Sequence, residues 1–284
     1  MEGHVSPTEG AGTLYVVSTP IGNMGDFSFR AVDVLESVAL ILAEDTRHTR
    51  HLLDRYAIHT PMAAHHEHNE ARTTPELVAR MTAGESMALV SDAGTPLLSD
   101  PGGRLVRAAA DAGIAVTPIP GASALLAALV ASGISAERFT FYGFLARSGR
   151  ERREALDEIA SLRHTAVVYE APGRVTDTLG ELEQRGAGER QVALAREMTK
   201  QFEEVRRGTL AELRAYYEDK APRGEIVLVI AAAPDIAPTD DVVLARVRAL
   251  RAGGMSARDT ATEVARELGV PRRLAYKLAQ ETPS

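Results

Sequence analysis

The chain contains no cysteine in 284 residues. That excludes a disulfide framework, a thiolate zinc site and a cysteine nucleophile. Long hydrophobic runs are missing too. The most apolar stretch, residues 124–130 and their neighbours, is too short and too rich in alanine to cross a bilayer, so the chain reads as soluble and cytoplasmic, with no membrane partner. Positive charge is in deficit, with a formal net charge of −7, and the bulk surface does not advertise nucleic-acid binding. Residues 1–12 have neither a basic start nor an apolar stretch, and read as a disordered tail rather than a signal. No internal repeat or low-complexity run is visible. What is present is 45% hydrophobic residues, ample for proper cores in a length typical of about two domains.

The most informative segment is residues 87–103, MALVSDAGTPLLSDPGG. Met87 to Val90 has the apolar character of a buried parallel strand. A Gly/Pro/Ser loop follows, and Asp100 and Pro101 are expected to supply the N-cap and first-turn proline of a helix from Gly103 to Asp111, ended by Gly113. Open parallel sheets bind ligands just beyond the carboxyl ends of their strands, which makes this loop a ligand site by position. It carries Asp92 and Asp100 and no lysine, unlike a phosphate cradle. A carboxylate beside exposed amides suits ribose hydroxyls or an ammonium or sulfonium cation; the bland alternative is a tight turn whose aspartate only caps amides.

Similar strand–loop–helix units recur. Strands are expected at 14–18, 40–43 and 116–119, and helices at 29–36, from Thr46 onward, at 75–83 and at 124–131. Alternation this regular implies an α/β domain with a parallel sheet over residues 13–132. A second α/β block, 133–236, has strand signals at 139–144, 166–170, 192–196 and 226–230, with helices at 150–160, 174–185 and 210–218. The alternation in Thr140-Phe141-Tyr142-Gly143-Phe144 favours a mixed sheet there. The linker AAAPDIAPT, residues 231–239, leads into a segment of opposite charge. Residues 242–284 carry net +4 and residues 1–241 carry −11. In that segment, a Ser-capped amphipathic helix at 256–267, the turn Leu268-Gly269-Val270 and a helix from Pro271 fit a helix-turn-helix. The expected fold class is therefore α/β with two domains and a small helical extension over 237–284.

Four loops, residues 19–23, 44–47, 91–96 and 120–123, lie at the carboxyl ends of predicted strands and jointly suit a Gly/Pro-lined pocket. The segments STPIGN, AEDTRHTRHLL, HEHNE, ALVSDAGTPLLSDPG, PIPGASALLAAL, FYGFL, VVYEAPGRV and ALAREMTKQFEEVRRG resemble, in order and spacing, the tetrapyrrole methylase superfamily. Within it they are similar to the branch that 2′-O-methylates a cytidine of small-subunit (16S) ribosomal RNA. The resemblance is strong over residues 13–235 and looser beyond. It implies a dimeric two-domain α/β methyltransferase with S-adenosylmethionine folded in a cleft. By motif, Pro20, Asp92, Ala93, Gly94, Thr95, Ser123, Ala124, Tyr169 and Ala195 would lie near that cofactor. The first loop, TPIGN, departs from the glycine-rich loop of porphyrin-methylating members and counts against a tetrapyrrole substrate.

Methyl transfer needs alignment of the attacking oxygen and exclusion of water, and a ribose hydroxyl gains from a base or from a cation that stabilises the developing alkoxide. Asp45 and Glu170 are the candidate bases and Lys200 the candidate cation, though each equally suits a structural ion pair. Arg47, Arg50, Arg174, Arg272, Arg273 and Lys277 are the candidate contacts to the RNA or small ribosomal subunit. Arg147, Arg150, Arg152 and Arg153 read either as a solvated face or as phosphate contacts. His65, His66, His68 and Glu70 match no usual zinc spacing, so no metal is expected; the resemblance implies instead that His66, His68 and Asn69 belong to a loop that faces RNA or packs at an interface. The rival readings are a corrin or porphyrin methyltransferase and a non-catalytic nucleic-acid-binding regulator.

Overall fold

The computed structural model describes residues 10–234 and 240–282. They form two compact units, one ending at Ala233 and the other starting at Pro234. Residues 1–9 of the expected tail lie outside the described residues, whereas Gly12 donates its N–H to the Met81 carbonyl at 2.8 Å.

Five parallel strands, β1 (Thr13–Val17), β2 (Leu40–Ala43), β3 (Met62–Ala64), β4 (Met87–Val90) and β5 (Ala115–Ile119), form the first sheet in the order β3-β2-β4-β1-β5. Helices α1 (Phe29–Ser37), α2 (Thr46–Arg55), α3 (Glu70–Thr82) and α4 (Gly103–Asp111) connect them. Side chains alternate across a strand, so the sheet buries two cores. Val17, Ile41, Ala43 and Val90 meet α1 and α2 through Leu35, Leu52 and Leu53. Leu14, Leu42, Met87 and Leu89 meet α3 and α4 through Leu77, Met81 and Leu105.

Helix α5 (Ala124–Ser132) leads to the second sheet, built from β6 (Phe139–Phe144), β7 (Thr165–Glu170), β8 (Gln191–Arg196), β9 (Glu204–Thr209) and β10 (Ile226–Ile230). Its order is β6-β7-β10-β8-β9; β6 and β7 are parallel and the remaining pairs antiparallel. The sheet is mixed, as its sequence predicts. One face packs on α5, through Leu125, Ala128 and Leu129 against Val167, Ala193 and Val229. The other packs on α6 (Gly149–Ser161), α7 (Val175–Leu182) and α8 (Leu210–Tyr217). In the second unit α9 (Asp240–Ala252), α10 (Ala257–Leu268) and α11 (Arg272–Glu281) share a small core of Val243, Val247, Ala261, Val264, Ala275 and Ala279. Ser256 caps α10 by accepting from Asp259 N–H, and Gly269 ends it in the left-handed conformation, as read from the sequence.

Five elements differ from expectation. Strands β3 and β9 and helix α9 were not anticipated: β3 is three residues long, and β9 is a polar edge strand, EVRRGT. Helix α3 begins at Glu70 and carries Pro75 inside it. The N-cap of α4 is Gly102 at φ 112°, not Asp100. The Asp100 carboxyl lies instead in the wall of a cavity at the ends of the strands.

Candidate functional site

The carboxyl ends of β1, β2, β4 and β5 are tied into one rim. Thr19 and Gly94 exchange backbone hydrogen bonds at 2.8 and 3.1 Å. The Thr19 hydroxyl donates to the Ser91 carbonyl, and Thr95 Oγ1 donates to the Ala122 carbonyl, both at 3.1 Å. Gly121 belongs to this rim because a Cβ there would stand 2.9 Å from Ser18 Cβ. The loop after β4 stores strain: Leu97 and Ser99, neither of them glycine, sit at φ 75° and 72°. Such outliers persist where surrounding structure enforces them and are enriched at functional sites.

Two adjoining cavities open at this rim, and the second sheet closes the larger. That one has a volume of about 440 Å³. Asp92, Ala93, Gly94, Thr95, Ser123, Ala124 and Tyr169 line it, as do the ends of β7 and β10. Among the described residues no Lys, Arg or His lines it, while Glu44, Asp92 and Asp100 do. Burial, then the neighbouring Asp100 and Asp92 charges, holds the Glu44 carboxyl above its ordinary value. Burial, then Asp92, does the same to Asp100 against a lowering hydrogen bond from Ser91. Asp92 itself is fixed by the Asp45 N–H, 3.0 Å from its Oδ1. The Tyr169 hydroxyl accepts from Leu125 N–H at the start of α5 (3.2 Å), with Phe141 and Phe144 packed on its ring. Ser123 is in the N-cap position of α5 but makes no capping bond, and its buried Oγ has no partner among the described residues.

The smaller cavity, about 280 Å³, shares Ile21, Asp92, Ala93 and Glu225 with the larger. Its other walls are the loop after β1, including Pro20, and α2, including His48, Thr49 and His51. Lys200 completes it, paired with Glu197 at 3.0 Å and Glu225 at 3.2 Å. Burial pulls the Lys200 pKa down and the two carboxylates push it up, with a net rise. The group is a fixed cation and not a base. Its stem lies on Gly22, where a Cβ would fall 2.3 Å from Lys200 Cγ.

The expected bases are not brought into play. Asp45 lines neither cavity; its Oδ1 caps α2 at Arg47 N–H (2.8 Å) and both oxygens bind the Arg47 guanidinium, which lowers its pKa to about 2. Glu170 borders the larger cavity, but its side chain is 0% exposed. Its carboxylate accepts from Thr178 Oγ1 (2.6 Å), Ala171 N–H (2.8 Å) and Arg174 Nε (3.1 Å). The same pairing, with a bond to the Leu145 carbonyl, removes Arg174 from the candidate RNA contacts. Arg152 is likewise buried against Glu181 and Thr178. Ala195 is fully buried in the core under α5, one strand from the cavity wall at Val227. His65 is buried at the end of β3 with Nδ1 on Thr73 Oγ1, and Glu70 binds Gly102 N–H and Arg104. Residues that sequence reasoning passed over are Glu44, beside the chosen Asp45, and the α2 face of His48, Thr49 and His51.

The two-sheet unit has counterparts among known proteins. The family model described as Tetrapyrrole (Corrin/Porphyrin) Methylases matches residues 13–214. The chain belongs to this family. A protein of Synechocystis sp. named ribosomal RNA small subunit methyltransferase I is 46% identical, the match covering 95% of this chain and 98% of that one. A Pseudomonas aeruginosa protein of the same name is 43% identical over 95% and 97% of the two chains. The uroporphyrin-III C-methyltransferase of Thermus thermophilus, solved with S-adenosyl homocysteine, superposes with TM-score 0.54 at 19% identity over 77% of this chain and 97% of that one, a likeness of fold. No helix of the described residues is long and apolar enough to cross a membrane.

Proposed function

We propose that this chain methylates the ribose 2′-hydroxyl of a cytidine in small-subunit ribosomal RNA, with S-adenosylmethionine as methyl donor. The observation that carries the reading is the 46% identity, over nearly the whole of both chains, to a protein named for methylating that RNA. The larger cavity supports the donor. A sulfonium and an ammonium group suit walls that hold Glu44, Asp92 and Asp100 and no cation, and the unpartnered Ser123 hydroxyl offers a bond to a polar ligand atom. Asp92, Ala93, Gly94, Thr95, Ser123, Ala124 and Tyr169 would hold it there, with Pro20 on the adjoining wall. When bound, S-adenosylmethionine supplies an activated methyl group for in-line displacement.

The chain's own residues hold the donor, exclude water and steady the acceptor oxygen. Lys200, kept charged by Glu197 and Glu225, stands in the wall of the adjoining cavity, where it would stabilise the negative charge that develops on the acceptor oxygen as the methyl group is transferred and the hydroxyl proton passes to solvent. Asp45 and Glu170 act structurally, as α2 cap and buried anchor. Phosphate contacts fall to Arg47 and Arg50 on α2 and, in the second unit, to Arg272, Arg273 and Lys277, which are exposed on α11 without ion pairs among the described residues. We infer a homodimer as well. Helix α5, ALLAALVAS, is apolar all round and leaves Leu126 and Val130 exposed, the latter by 78%, a face that a second copy would cover. The substrate places the enzyme in the cytoplasm.

The test is mass spectrometry of ribosomal RNA from cells with and without this protein. The expected result is one ribose-methylated cytidine lost from the small-subunit RNA and regained on complementation; identical modification maps would overturn the reading.

A further inference from the structure

We propose that the smaller cavity receives a single pyrimidine nucleoside turned out of the RNA strand, and that Thr49 contacts it directly. The inference rests on the methyl-transfer reading above and gives the acceptor its place beside the donor.

Four observations carry it. The two cavities share the wall made by Ile21, Asp92, Ala93 and Glu225, so occupants of the two abut, as transfer between them requires. The smaller one is a recess of about 280 Å³ behind α2 and the loop after β1, and a base held in a stacked duplex cannot enter such a recess, so a nucleotide reaches it from a single strand or by leaving its stack. Its walls combine the flat imidazoles of His48 and His51 with the apolar Met24 and Leu52, surfaces against which an unstacked base packs.

The fourth observation is Thr49. The residue is 2% exposed, lines this cavity, and its Oγ1 has no hydrogen-bond partner among the described residues. A helical threonine ordinarily bonds the carbonyl four residues back, and that carbonyl, of Asp45, accepts only the Thr49 N–H. An orphaned buried hydroxyl is costly and is satisfied when a ligand supplies the partner. The base edge of a nucleoside does so. The exposed side of the same helix carries Arg47 and Arg50, and Arg50 has no ion pair among the described residues. Cations at the rim and a hydroxyl within match a nucleotide whose phosphates stay outside.

The experiment compares methylation of small ribosomal subunits by wild type, Thr49→Val, Thr49→Ser and the double variant His48→Ala/His51→Ala, with S-adenosylmethionine affinity measured by calorimetry. Valine has the shape of threonine and lacks only the hydroxyl. Thr49→Val is expected to lose about tenfold in kcat/KM at unchanged cofactor affinity and equal or higher Tm, and Thr49→Ser to restore most of it. The histidine variant, altered at two exposed positions, is expected to raise KM with the same cofactor affinity. Wild-type kcat/KM in both Thr49→Val and the histidine variant overturns the acceptor cavity while leaving the methyltransferase reading intact. Cofactor affinity that falls with kcat/KM in Thr49→Val overturns it too, since the hydroxyl then belongs to the donor site. A wild type that methylates no ribosomal RNA overturns both.

Discussion

Replacing Glu170 separates structure from catalysis most sharply. Its carboxylate is fully buried and takes bonds from Thr178 Oγ1 at 2.6 Å, Ala171 N–H at 2.8 Å and Arg174 Nε at 3.1 Å. Thr178 also accepts from the buried Arg152 at 2.9 Å, so β7, α6 and α7 are laced together at this carboxylate. In Glu170→Ala a guanidinium, a hydroxyl and an amide lose their acceptor together. Removing one partner of a buried ion pair costs about 3–5 kcal/mol. Arg174 keeps the Leu145 carbonyl at 2.7 Å and is 24% exposed, which places the loss near the lower end, about 3 kcal/mol. For a unit of this size that is a Tm lower by about 6–12 °C. Differential scanning calorimetry reads the Tm, and methyl transfer well below it reads kcat per folded molecule. The expected outcome is the lower Tm with kcat within about threefold of wild type. An unchanged Tm with kcat down about a thousandfold would make Glu170 the base and refute the reasoning.

The remaining expectations concern charge and surface. Glu44 and Asp100 have raised pKa values, chiefly through burial, so they take up protons on acidification before an ordinary carboxylate does. Their neutral forms attract no sulfonium, so S-adenosylmethionine affinity falls as pH drops through that raised range; Glu44→Gln should weaken binding at neutral pH and flatten the profile by calorimetry. Gly22→Ala puts a Cβ 2.3 Å from Lys200 Cγ at φ 145°, and is expected to displace the lysine, lowering kcat about tenfold or more with cofactor affinity kept. Val130→Glu on the outer face of α5 is expected to convert the dimer to a species near the 30.4 kDa chain mass in sedimentation; a wild type already at that mass removes the dimer. Deleting residues 240–284, a unit with a core of its own, should leave cofactor binding intact, weaken RNA binding and reduce its salt slope by roughly one unit per lost phosphate contact; an unchanged slope shows that α11 makes none.

Much of the architecture is legible from local pattern. LILA and MALV are buried on both faces, and a parallel strand covered by helices on both sides can only be written that way. Where the pattern is weak, so is the reading. MAA is too short to show a period, and EVRRGT, an edge strand half open to water, looks like a polar loop until β8 pairs with it. The site divides along the same line. That the loop after β4 suits a cation or ribose hydroxyls is legible in what it contains, Asp92 without lysine, and the structure sets that loop in the wall of the larger cavity. Which member of a pair of acids faces the cavity does not follow, because neighbouring residues point apart: Asp45 is held by the first turn of α2 while Glu44 turns inward. The Glu170–Arg174 pair was in principle readable, since an acid and an arginine four apart across Ala-Pro-Gly are spaced to meet when a helix follows. Thr49 sits within the basic run RHTRH and shows its burial only once Leu52 and Leu53, three and four residues on, fix the inner face of α2.

The net charge of −7 conceals a separation that the proposed reaction needs. The donor is a cation and the acceptor a polyanion, and a single undifferentiated pocket would favour one by repelling the other. Here carboxylates without cations line the larger cavity, while the smaller shares Asp92 and Glu225 but adds the cation Lys200, with Arg47 and Arg50 on the helix beyond. Asp92 stands in the wall between the two, pinned by the Asp45 amide, and that amide belongs to the residue whose carboxylate starts α2. The cap that shapes the acceptor side therefore also fixes the carboxylate of the donor side. A substitution at Asp45 would be felt in both cavities without Asp45 touching either ligand.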